Sequence, residues 1–533
     1  MSRYLPPKLH RFAVKTKTAL FRRLRYLTLR PENWKRFLSL SSSPPKTFQL
    51  PLKEIKKFKI ACILDEFSFE SFKYEADFVQ LDPQTWRQEI EKIQPDFLLV
   101  ESAWKGKNAK WFKKVSEISN EIIELTSWAD KHSIPAVFWH KEVPPHFHTF
   151  MNVSRLFDAI FLTDGDCIDR YKKTVGHQNV FFLPFACQPA IHHPVAEAQR
   201  KNAMIYAGTF YPEHKYPDRY INFIDLFDGL EPEIDIDIFD RSSGKGNYTF
   251  PEKYHSNIKG SLPFSEMSRV YRTYDYGLNM NSVKDSASMC SRRVFELIAC
   301  NTIVVGNDSK AVKNYFGDLT IASDSKEQVV QQFKRINEDT MLRDKTRLLA
   351  LRKVMSEHTY QHRMAHMIRS LGGKIGGVEP SVLIVGNSQH PQNYSNKTWI
   401  SATENQDRLK SEVIKHDYIA WMDSTSTYGP DYITDLVLAF KYADSDVVTK
   451  ESFYEYGDKV ALQNPNCEYK YIDHFNPYRS MVASSIALEL LSAPIMPSSV
   501  HRRALSVDRF NFCQLSKFSV KTSTDLVQHE TFV

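Results

Sequence analysis

Short apolar runs alternate with amphipathic stretches between residues 58 and 195. Five runs are almost continuously hydrophobic, at 59–64, 97–102, 136–142, 159–164 and 180–186, and helical spacing occurs between them, near 86–93, 109–132, 146–157 and 167–173. Buried strands separated by helices are typical of a parallel sheet that is covered on both faces. The pattern predicts a Rossmann-like domain over residues 58–195.

A second alternating pattern covers residues 196–371. Strand-like runs end at Gly208, Asp240, Asn281 and Gly306, and helices are predicted at 294–300 and over 326–371. Asn301 follows the first of these helices and can adopt the left-handed conformation that ends a helix. The pattern predicts a second Rossmann-like domain, so the fold class is α/β.

Length and composition agree with several domains. A chain of 533 residues is too long for one core, and the glycine-rich segment 372–380 separates the second domain from residues 381–533. Hydrophobic residues make up 42% and charged residues 25% of the chain, as in an ordinary globular protein. No stretch offers the roughly 18 to 20 uncharged apolar residues of a membrane span.

Cysteine usage bears on the expected compartment. The seven cysteines are scattered without a CxxC pair, which argues against a disulfide scaffold and against a zinc ribbon. The basic N-terminus is not followed by the apolar region of a signal peptide. We therefore expect a cytoplasmic protein, with the inner face of the cell membrane as a second expected location.

Positive charge is concentrated at the N-terminus. Residues 1–57 carry fifteen Lys and Arg against two Glu, whereas the net charge of the whole chain is +7. Within residues 1–45, apolar and basic residues alternate at roughly helical spacing before the Ser- and Pro-rich linker at 41–46. The segment predicts binding of residues 1–36 to an anionic membrane surface. The alternative is a helix packed on the protein or on a partner; nucleic acid is not expected, since no base-reading module follows.

The segment 288–308 has the pattern of a nucleotide-diphosphate site. Arg292 and Arg293 lead into a predicted helix, and Glu296 lies one turn further on. Guanidinium groups and free N–H groups at a helix N-terminus bind phosphate, and a carboxylate can accept from ribose hydroxyls. Gly208 and Thr209, at the end of the first strand of this domain, allow close approach of the backbone to phosphate. The alternative is a packed helix with a surface arginine pair.

The loop 138–150 carries candidate proton-transfer groups. His140, Lys141, Glu142 and His146 follow a predicted buried strand of the first domain. Ligands bind at the carboxyl ends of such strands, and imidazole together with carboxylate suits general acid or base chemistry. The alternative is a histidine cluster whose hydrogen bonds are satisfied within the loop.

Several motifs together resemble the CgeB-like group of GT-B glycosyltransferases. The helix motif of that group, close to "RxFEALACG", is matched by Arg293, Phe295, Glu296, Ala299 and Cys300, with Asn301 in place of glycine. Three further motifs occur in the same order, HKEVPPHFHTF, DAIFLTDGDCIDRY and LPFACQPAIHHP. The chain departs from the group at His140, at Val143 and, compared with the wider retaining families, at Ser288.

The resemblance implies a reaction and a set of site residues. A sugar would pass from a nucleotide-diphospho-sugar, expected to be UDP-linked, to a surface polysaccharide, a teichoic-acid-like polymer or another glycan or lipid-linked acceptor. Enzymes of this kind generally use neither metal nor cofactor. The implied donor-binding residues are Gly208, Thr209, Asn279, Arg292, Arg293 and Glu296. A non-catalytic nucleotide-sugar- or polymer-binding scaffold is the main alternative; an epimerase and a polymer phosphotransferase are weaker ones.

Residues 381–533 resemble the middle of a family 2, GT-A type glycosyltransferase. That family places several carboxylates after the strand read here as YIAWM, where they bind a metal. In this chain the segment reads Asp423, Ser424, Thr425 and Ser426, so a single carboxylate remains. The resemblance implies a degenerate domain that binds no metal.

Overall fold

The computed structural model describes residues 29–39, 46–195, 197–243, 248–376, 379–387, 390–457, 459–493, 495–515 and 531–533. The chain forms two compact units. The first comprises residues 1–185, 286–289 and 363–376, and the second comprises 186–285, 290–362 and 377–533.

The first unit is built on a six-stranded parallel sheet. Its strands are β1 (Lys59–Ile63), β2 (Asp77–Gln80), β3 (Phe97–Glu101), β4 (Ala136–His140), β5 (Ala159–Leu162) and β6 (Val180–Phe182), in the order β2-β1-β3-β4-β5-β6. Every residue of β3, β4 and β5 is buried, as expected for strands covered on both faces. The predicted Rossmann-like sheet is confirmed.

Helices surround this sheet. They are α1 (Pro31–Ser39), α2 (Glu66–Phe72), α3 (Trp86–Ile93), α4 (Asn120–Lys131), α5 (Phe147–Ser154) and α6 (Ile168–Val175). The helix predicted over 109–132 is shorter than expected. Ser119 caps α4 by accepting a hydrogen bond from the Ile122 amide, and residues 108, 109, 113 and 118 have positive φ angles that no helix contains.

The N-terminal prediction falls largely on residues 1–28, which lie outside the described part of the chain. The described helix α1 packs on α4: the Asn33 side-chain amide donates to the Asn120 carbonyl at 2.9 Å, and Phe37 is buried. Residues 31–37 therefore belong to the fold of the first unit. Among the described residues, no helix is long and apolar enough to cross a membrane.

The second unit contains a second six-stranded parallel sheet. Its strands are β7 (Lys201–Gly208), β8 (Ile236–Asp240), β9 (Ile258–Gly260), β10 (Tyr274–Asn279), β11 (Ile303–Gly306) and β12 (Ile321–Ala322), in the order β12-β11-β10-β7-β8-β9. Numbered within the sheet, this is the 3-2-1-4-5-6 order of dinucleotide-binding folds. The second predicted Rossmann-like sheet is also confirmed.

Six helices of the second unit precede residue 360. They are α7 (Pro217–Leu230), α8 (Phe264–Tyr271), α9 (Arg292–Ala299), α10 (Lys310–Phe316), α11 (Lys326–Glu338) and α12 (Thr340–Glu357). The next helix is α13 (Tyr360–Ser370), whose residues from 363 onward are assigned to the first unit. Asn301 has a φ of 59°, so it closes the turn between α9 and β11 in the left-handed conformation that the sequence predicts.

The C-terminal region of the second unit is α/β, with two sheets. A mixed sheet has the order β14-β13-β15-β21-β17-β22-β20 and a smaller one the order β16-β23-β18-β19. The strands are β13 (Val382–Gly386), β14 (Lys397–Ile400), β15 (Tyr418–Met422), β16 (Ser426–Tyr428), β17 (Val447–Thr449), β18 (Phe453–Tyr456), β19 (Val460–Gln463), β20 (Lys470–Phe475), β21 (Ser480–Ala483), β22 (Val500–Ser506) and β23 (Phe512–Leu515). The helices are α14 (Gln406–Val413), α15 (Tyr432–Ala439) and α16 (Ser484–Leu490).

Charged contacts attach this region to α12. The Arg352 guanidinium binds Asp435 and Asp431 at 2.9 Å each and donates to the Val533 carbonyl oxygen at 3.0 Å. Asp435 is in turn near the Lys450 ammonium, at 3.5 Å. Because Asp435 and Lys450 are buried, these groups depend on one another for compensation.

Candidate functional site

The strand order of the second sheet locates a crevice. Strands β7 and β10 are neighbours whose chain connections leave in opposite directions, and ligands of open α/β sheets bind at the carboxyl ends of such a strand pair. Those ends are Gly208 and Asn279. A Cβ atom placed on Gly208 would lie 3.3 Å from an Arg293 guanidinium nitrogen. Gly208 therefore leaves room for Arg293 over the end of β7.

Helix α9 begins beside this crevice. The Ser291 hydroxyl caps it by accepting from the Arg293 amide at 3.3 Å, and the Arg293 guanidinium approaches the Asn279 side-chain oxygen at 3.5 Å. Partial positive charge at the helix N-terminus thus adds to that of Arg293. Thr209, which follows β7, is buried, and its hydroxyl lies 2.9 Å from the Ser242 hydroxyl. The structure brings Gly208, Asn279 and Arg293 together.

Two further arginines contribute positive charge that the sequence motifs do not indicate. The Arg241 guanidinium donates to the Thr209 hydroxyl at 3.3 Å, and Arg219 donates to the Tyr206 hydroxyl at 3.3 Å and to the Ser282 hydroxyl at 2.8 Å. Burial, and then the positive charges of Arg293 and Arg292, lower the pKa of Arg241.

In the part of the chain that the structure describes, no carboxylate forms an ion pair with Arg219, Arg241 or Arg293. The crevice therefore carries an excess of positive charge. Arg241 follows strand β8, and that position, directly after a predicted strand, is the one signal by which the sequence could have indicated it.

Glu296 is buried and already paired. Its carboxylate binds the Arg292 guanidinium, whose Cζ atom lies 5.0 Å from the Phe264 ring centre. A carboxylate oxygen of Glu296 also lies 3.9 Å from Nε2 of His192. Burial lowers the pKa of His192 to about 4, so this histidine is neutral at physiological pH. Arg292 and Glu296 thus form one unit at the first turn of α9. Contact of Glu296 with ribose stays a prediction.

The first sheet has its own crevice, at the ends of β1 and β3, where the chain order of the strands reverses. Two carboxylates lie there, Asp65 and Glu101, and the Lys141 ammonium binds both, at 3.1 and 2.8 Å. The Lys141 side chain is 0% exposed. Neither carboxylate was indicated by the sequence motifs, because each comes from a different strand.

The opposite charges of Lys141 and of the two carboxylates, together with burial, shift the pKa values of all three residues. Burial alone would lower the pKa of Lys141, but Glu101 and Asp65 outweigh it and raise that pKa. Burial raises the pKa of Glu101 to about 7, while the Lys141 charge and three backbone amides outweigh burial and lower the pKa of Asp65. Lys141 is a buried, charged tether, and it has no exposed surface with which to reach a substrate.

His140 is buried as well. Its Nδ1 atom shares a hydrogen bond with the Tyr171 hydroxyl, and its ring packs edge-on against Phe150. Burial, and to a lesser degree the charge of His146, lower the pKa of His140 to about 3. Such an imidazole is neutral at physiological pH and is a weak base.

This burial predicts a pH dependence of stability. His140 has a lower pKa in the folded chain than the roughly 6.5 of an unfolded one, so acidification below pH 6.5 protonates the unfolded state first and reduces stability. Between pH 7 and pH 5 the loss should be about 2 kcal/mol, from about 1.5 pH units at 1.36 kcal/mol each. Chemical denaturation at both pH values should show a smaller loss in His140→Asn. The exposed control His214→Asn should behave like the wild type, and equal losses in all three proteins would contradict the prediction.

Glu142 and His146 remain as accessible groups of the loop. Both are half-buried, and neither forms an ion pair among the described residues. His146 precedes α5, where its ring lies 5.1 Å from that of Trp104. Of the four predicted proton-transfer residues, these two therefore combine a titratable group with exposed surface.

One family profile matches part of the chain. The profile is described as "Glycosyl transferase-like" and matches residues 225–369, about a quarter of the chain, from within α7 to α13. Over this stretch the chain is similar to glycosyltransferases, in agreement with the resemblance seen in the sequence motifs. No curated protein sequence matches the chain.

Solved structures of glycosyltransferases have a distant likeness. A TarM variant of S. aureus bound to UDP is 9% identical with a TM-score of 0.34, over 53% of this chain and 57% of that one. An alpha-glucosyltransferase in complex with UDP is 12% identical with a TM-score of 0.40, over 59% and 100%. Sucrose-phosphate synthase of Thermosynechococcus elongatus is 9% identical with a TM-score of 0.37, over 54% and 75%.

Proposed function

We propose that this chain transfers a sugar from a nucleotide-diphospho-sugar, UDP-linked, to a glycan acceptor. The observation that carries the proposal is the excess of positive charge at the ends of β7 and β10. Arg219, Arg241 and Arg293 meet there beside the N-terminus of α9, without carboxylate partners among the described residues. The similarity of residues 225–369 to glycosyltransferases supports it.

The charge arrangement suits the departure of a nucleoside diphosphate. When the bond between sugar and diphosphate breaks, negative charge develops on the leaving oxygen. Fixed guanidinium groups and a helix N-terminus stabilise that charge without reorganisation during the reaction. The proposed reaction therefore needs neither a metal ion nor a cofactor.

Glu142 and His146 are the proposed acid or base groups of the reaction. A proton must leave the acceptor hydroxyl as it attacks the sugar, and a partly exposed imidazole or carboxylate can accept it. His140 and Lys141 are proposed as positioning residues, because both are buried and bonded within the first unit. Because two of the four predicted proton-transfer residues are buried, the site also supports a second candidate function, that of a scaffold that binds nucleotide sugar without turnover.

We further propose that the chain belongs to the CgeB-like group and that residues 381–533 have a GT-A-like origin. Asn301, in its left-handed conformation, supports membership of the CgeB-like group, because it fulfils the role of the glycine in the helix motif. The mixed sheet that contains β15 supports a GT-A-like origin for residues 381–533, with Asp423 directly after that strand.

Calorimetry with UDP tests the proposal. The full chain should bind UDP, and UDP should raise its melting temperature, since a ligand far above its dissociation constant stabilises the folded state by a few kcal/mol. Incubation with a UDP-sugar panel should then release UDP in the presence of a glycan acceptor. Absence of UDP binding would reject both candidates, whereas binding without release of UDP would favour the scaffold.

Asp423 is predicted to be dispensable. Its two carboxylate oxygens accept from the Thr425 hydroxyl at 2.9 Å and from the Thr425 amide at 3.2 Å, so the side chain is engaged in its own turn. A single carboxylate lacks the ligand count of a divalent metal site. Asp423→Ala should keep transfer activity within about twofold, with or without chelator. Loss of activity in both tests would show a second, metal-dependent site.

The N-terminal segment is proposed to bind anionic lipid. Residues 1–28 carry eight Lys and Arg and no Asp or Glu. A chain that lacks residues 1–28 but retains α1 should bind vesicles containing phosphatidylglycerol less than the full chain, and binding of the full chain should weaken as salt rises. Vesicle sedimentation measures both. Equal binding of the two chains would contradict the membrane prediction.

A further inference from the structure

Trp104 is exposed in the first unit, next to the proposed acid or base group His146. Its exposure is 37%, and it follows strand β3 at the ligand-binding edge of the sheet. Single exposed hydrophobic residues are common on protein surfaces, so exposure alone indicates nothing. Trp104 differs from such residues because both its backbone and its ring are firmly held.

A single carboxylate fixes the Trp104 loop. Asp65 accepts hydrogen bonds from the backbone amides of Trp104, Lys105 and Gly106, at 3.1, 2.9 and 2.8 Å. Asp65 is itself bound by the buried Lys141 ammonium at 3.1 Å. Three consecutive amides on one charged acceptor restrict the loop strongly, because hydrogen bonds to ionised groups are stronger than neutral ones.

The side chain is supported as well. The Trp104 ring packs at 79° to 82° against Phe150 and His146, with ring centres 5.1 Å apart in both pairs. Its indole N–H has no hydrogen-bond partner among the described residues, and is thus available to an incoming acceptor atom. An exposed aromatic ring, a free donor and a fixed orientation therefore coincide beside His146.

We propose that Trp104 is the stacking platform of an acceptor subsite for a pyranose ring of a glycan. One face of a pyranose presents C–H groups, which pack on the negatively polarised face of an aromatic ring, and a hydroxyl at the ring edge can accept from the indole N–H. Because Asp65 and Lys141 order the loop beforehand, binding loses little conformational entropy. This subsite rests on the sugar-transfer function proposed above. It also assigns Lys141 a role, that of a positioning residue acting through Asp65.

Saturation-transfer NMR on the full chain tests the subsite. The probes are methyl β-glucopyranoside, the methyl glycoside of N-acetylglucosamine, and maltotriose, each at millimolar concentration with saturating UDP. At least one should receive saturation at its ring protons in the wild type. Trp104→Ala should weaken that binding about threefold to tenfold, whereas Trp104→Phe, which keeps an aromatic face, should stay within about twofold.

Two controls separate the subsite from other effects. Tyr74→Ala removes another exposed aromatic of the same unit, with 40% exposure, and should change nothing. UDP affinity, measured by calorimetry on every variant, should equal that of the wild type. If UDP binds and no probe saccharide does, or if Trp104→Ala binds the probes like the wild type, the subsite is refuted while the proposed function stands. If UDP itself does not bind, the proposed function fails.

Hydrogen exchange tests separately whether Asp65 orders the loop that contains Trp104. Asp65→Asn removes the charge that binds the three amides and Lys141. Hydrogen exchange at Trp104, Lys105 and Gly106 should accelerate by about tenfold or more, and saccharide affinity should fall with UDP affinity unchanged. Unchanged exchange at these three amides would show that Asp65 does not order the loop.

Discussion

Replacing Arg293 by alanine is expected to weaken UDP binding by about tenfold to a hundredfold, the value of one charged hydrogen bond or a pair of them. Arg293 lies over the end of β7 with its guanidinium free of carboxylate partners in the described chain. It can pair with the diphosphate before and during the reaction, so the rate of transfer should fall together with affinity. Calorimetry with UDP and the release of UDP from a UDP-sugar measure the two effects.

Arg269→Ala is the matched control for this prediction. Arg269 belongs to α8 of the same unit, is 60% exposed, and pairs with Glu197 at 2.6 Å. Its loss removes the same charge from the unit without touching the crevice. Glu296→Ala should resemble Arg293→Ala in affinity if the carboxylate binds ribose. If both Arg293→Ala and Glu296→Ala bind UDP like the wild type, α9 is a packed helix only, and the donor site must lie elsewhere.

Replacing His146 by alanine is expected to slow transfer by a hundredfold or more, within the roughly 10²- to 10⁴-fold typical of general acid or base groups, while UDP affinity stays nearly unchanged. Glu142→Gln should have an effect of the same kind if the carboxylate shares this role. The reason for the split is location: both residues lie in the first unit, and the cations that would hold the diphosphate lie in the second. Steady-state kinetics with varied donor separate kcat from KM.

His148→Ala provides the control for His146→Ala. His148 is exposed, two residues further along the chain, and its imidazole contacts the Arg170 guanidinium at 3.1 Å. Wild-type kcat is expected for this variant. Equal loss of kcat in His146→Ala and His148→Ala would indicate a disturbed α5, and wild-type kcat in both His146→Ala and Glu142→Gln would leave the scaffold as the better function.

The sequence was most informative where one local pattern determines the structure. The apolar runs at 136–142 and 159–164 can be buried only between two layers, and the structure has β4 and β5 there. Asn301 was predictable for the same reason, because few residue types tolerate its φ of 59°. The prediction that a helix begins at residue 109 was wrong, because apolar residues at helical spacing also occur in consecutive turns. The helix α4 begins only after Ser119, which caps it.

The candidate sites were predictable only in part, because they are assembled from separate strands. Arg293 is readable from its motif, but Arg219 and Arg241 reach the same place from other segments, where the position of Arg241 directly after a predicted strand is the one available signal. Lys141 looks like a free base in the sequence; its two carboxylates, Asp65 and Glu101, are 76 and 40 residues away. Burial of this kind depends on which strand ends are neighbours, and a linear motif does not contain that information.

The attachment of the C-terminal region to α12 has an evolutionary consequence. Arg352 is compensated by Asp431 and Asp435, which both belong to that region. A chain that lost residues 381–533 would expose Arg352 to water and would uncover the buried Leu348 of α12, which packs against two aromatic residues of that region. Exposing a buried leucine costs about 1.5 to 3 kcal/mol, an appreciable part of the roughly 5 to 15 kcal/mol by which a typical domain is stable. Selection for a stably folded α12 is therefore sufficient to preserve the C-terminal region, independently of any chemistry of its own.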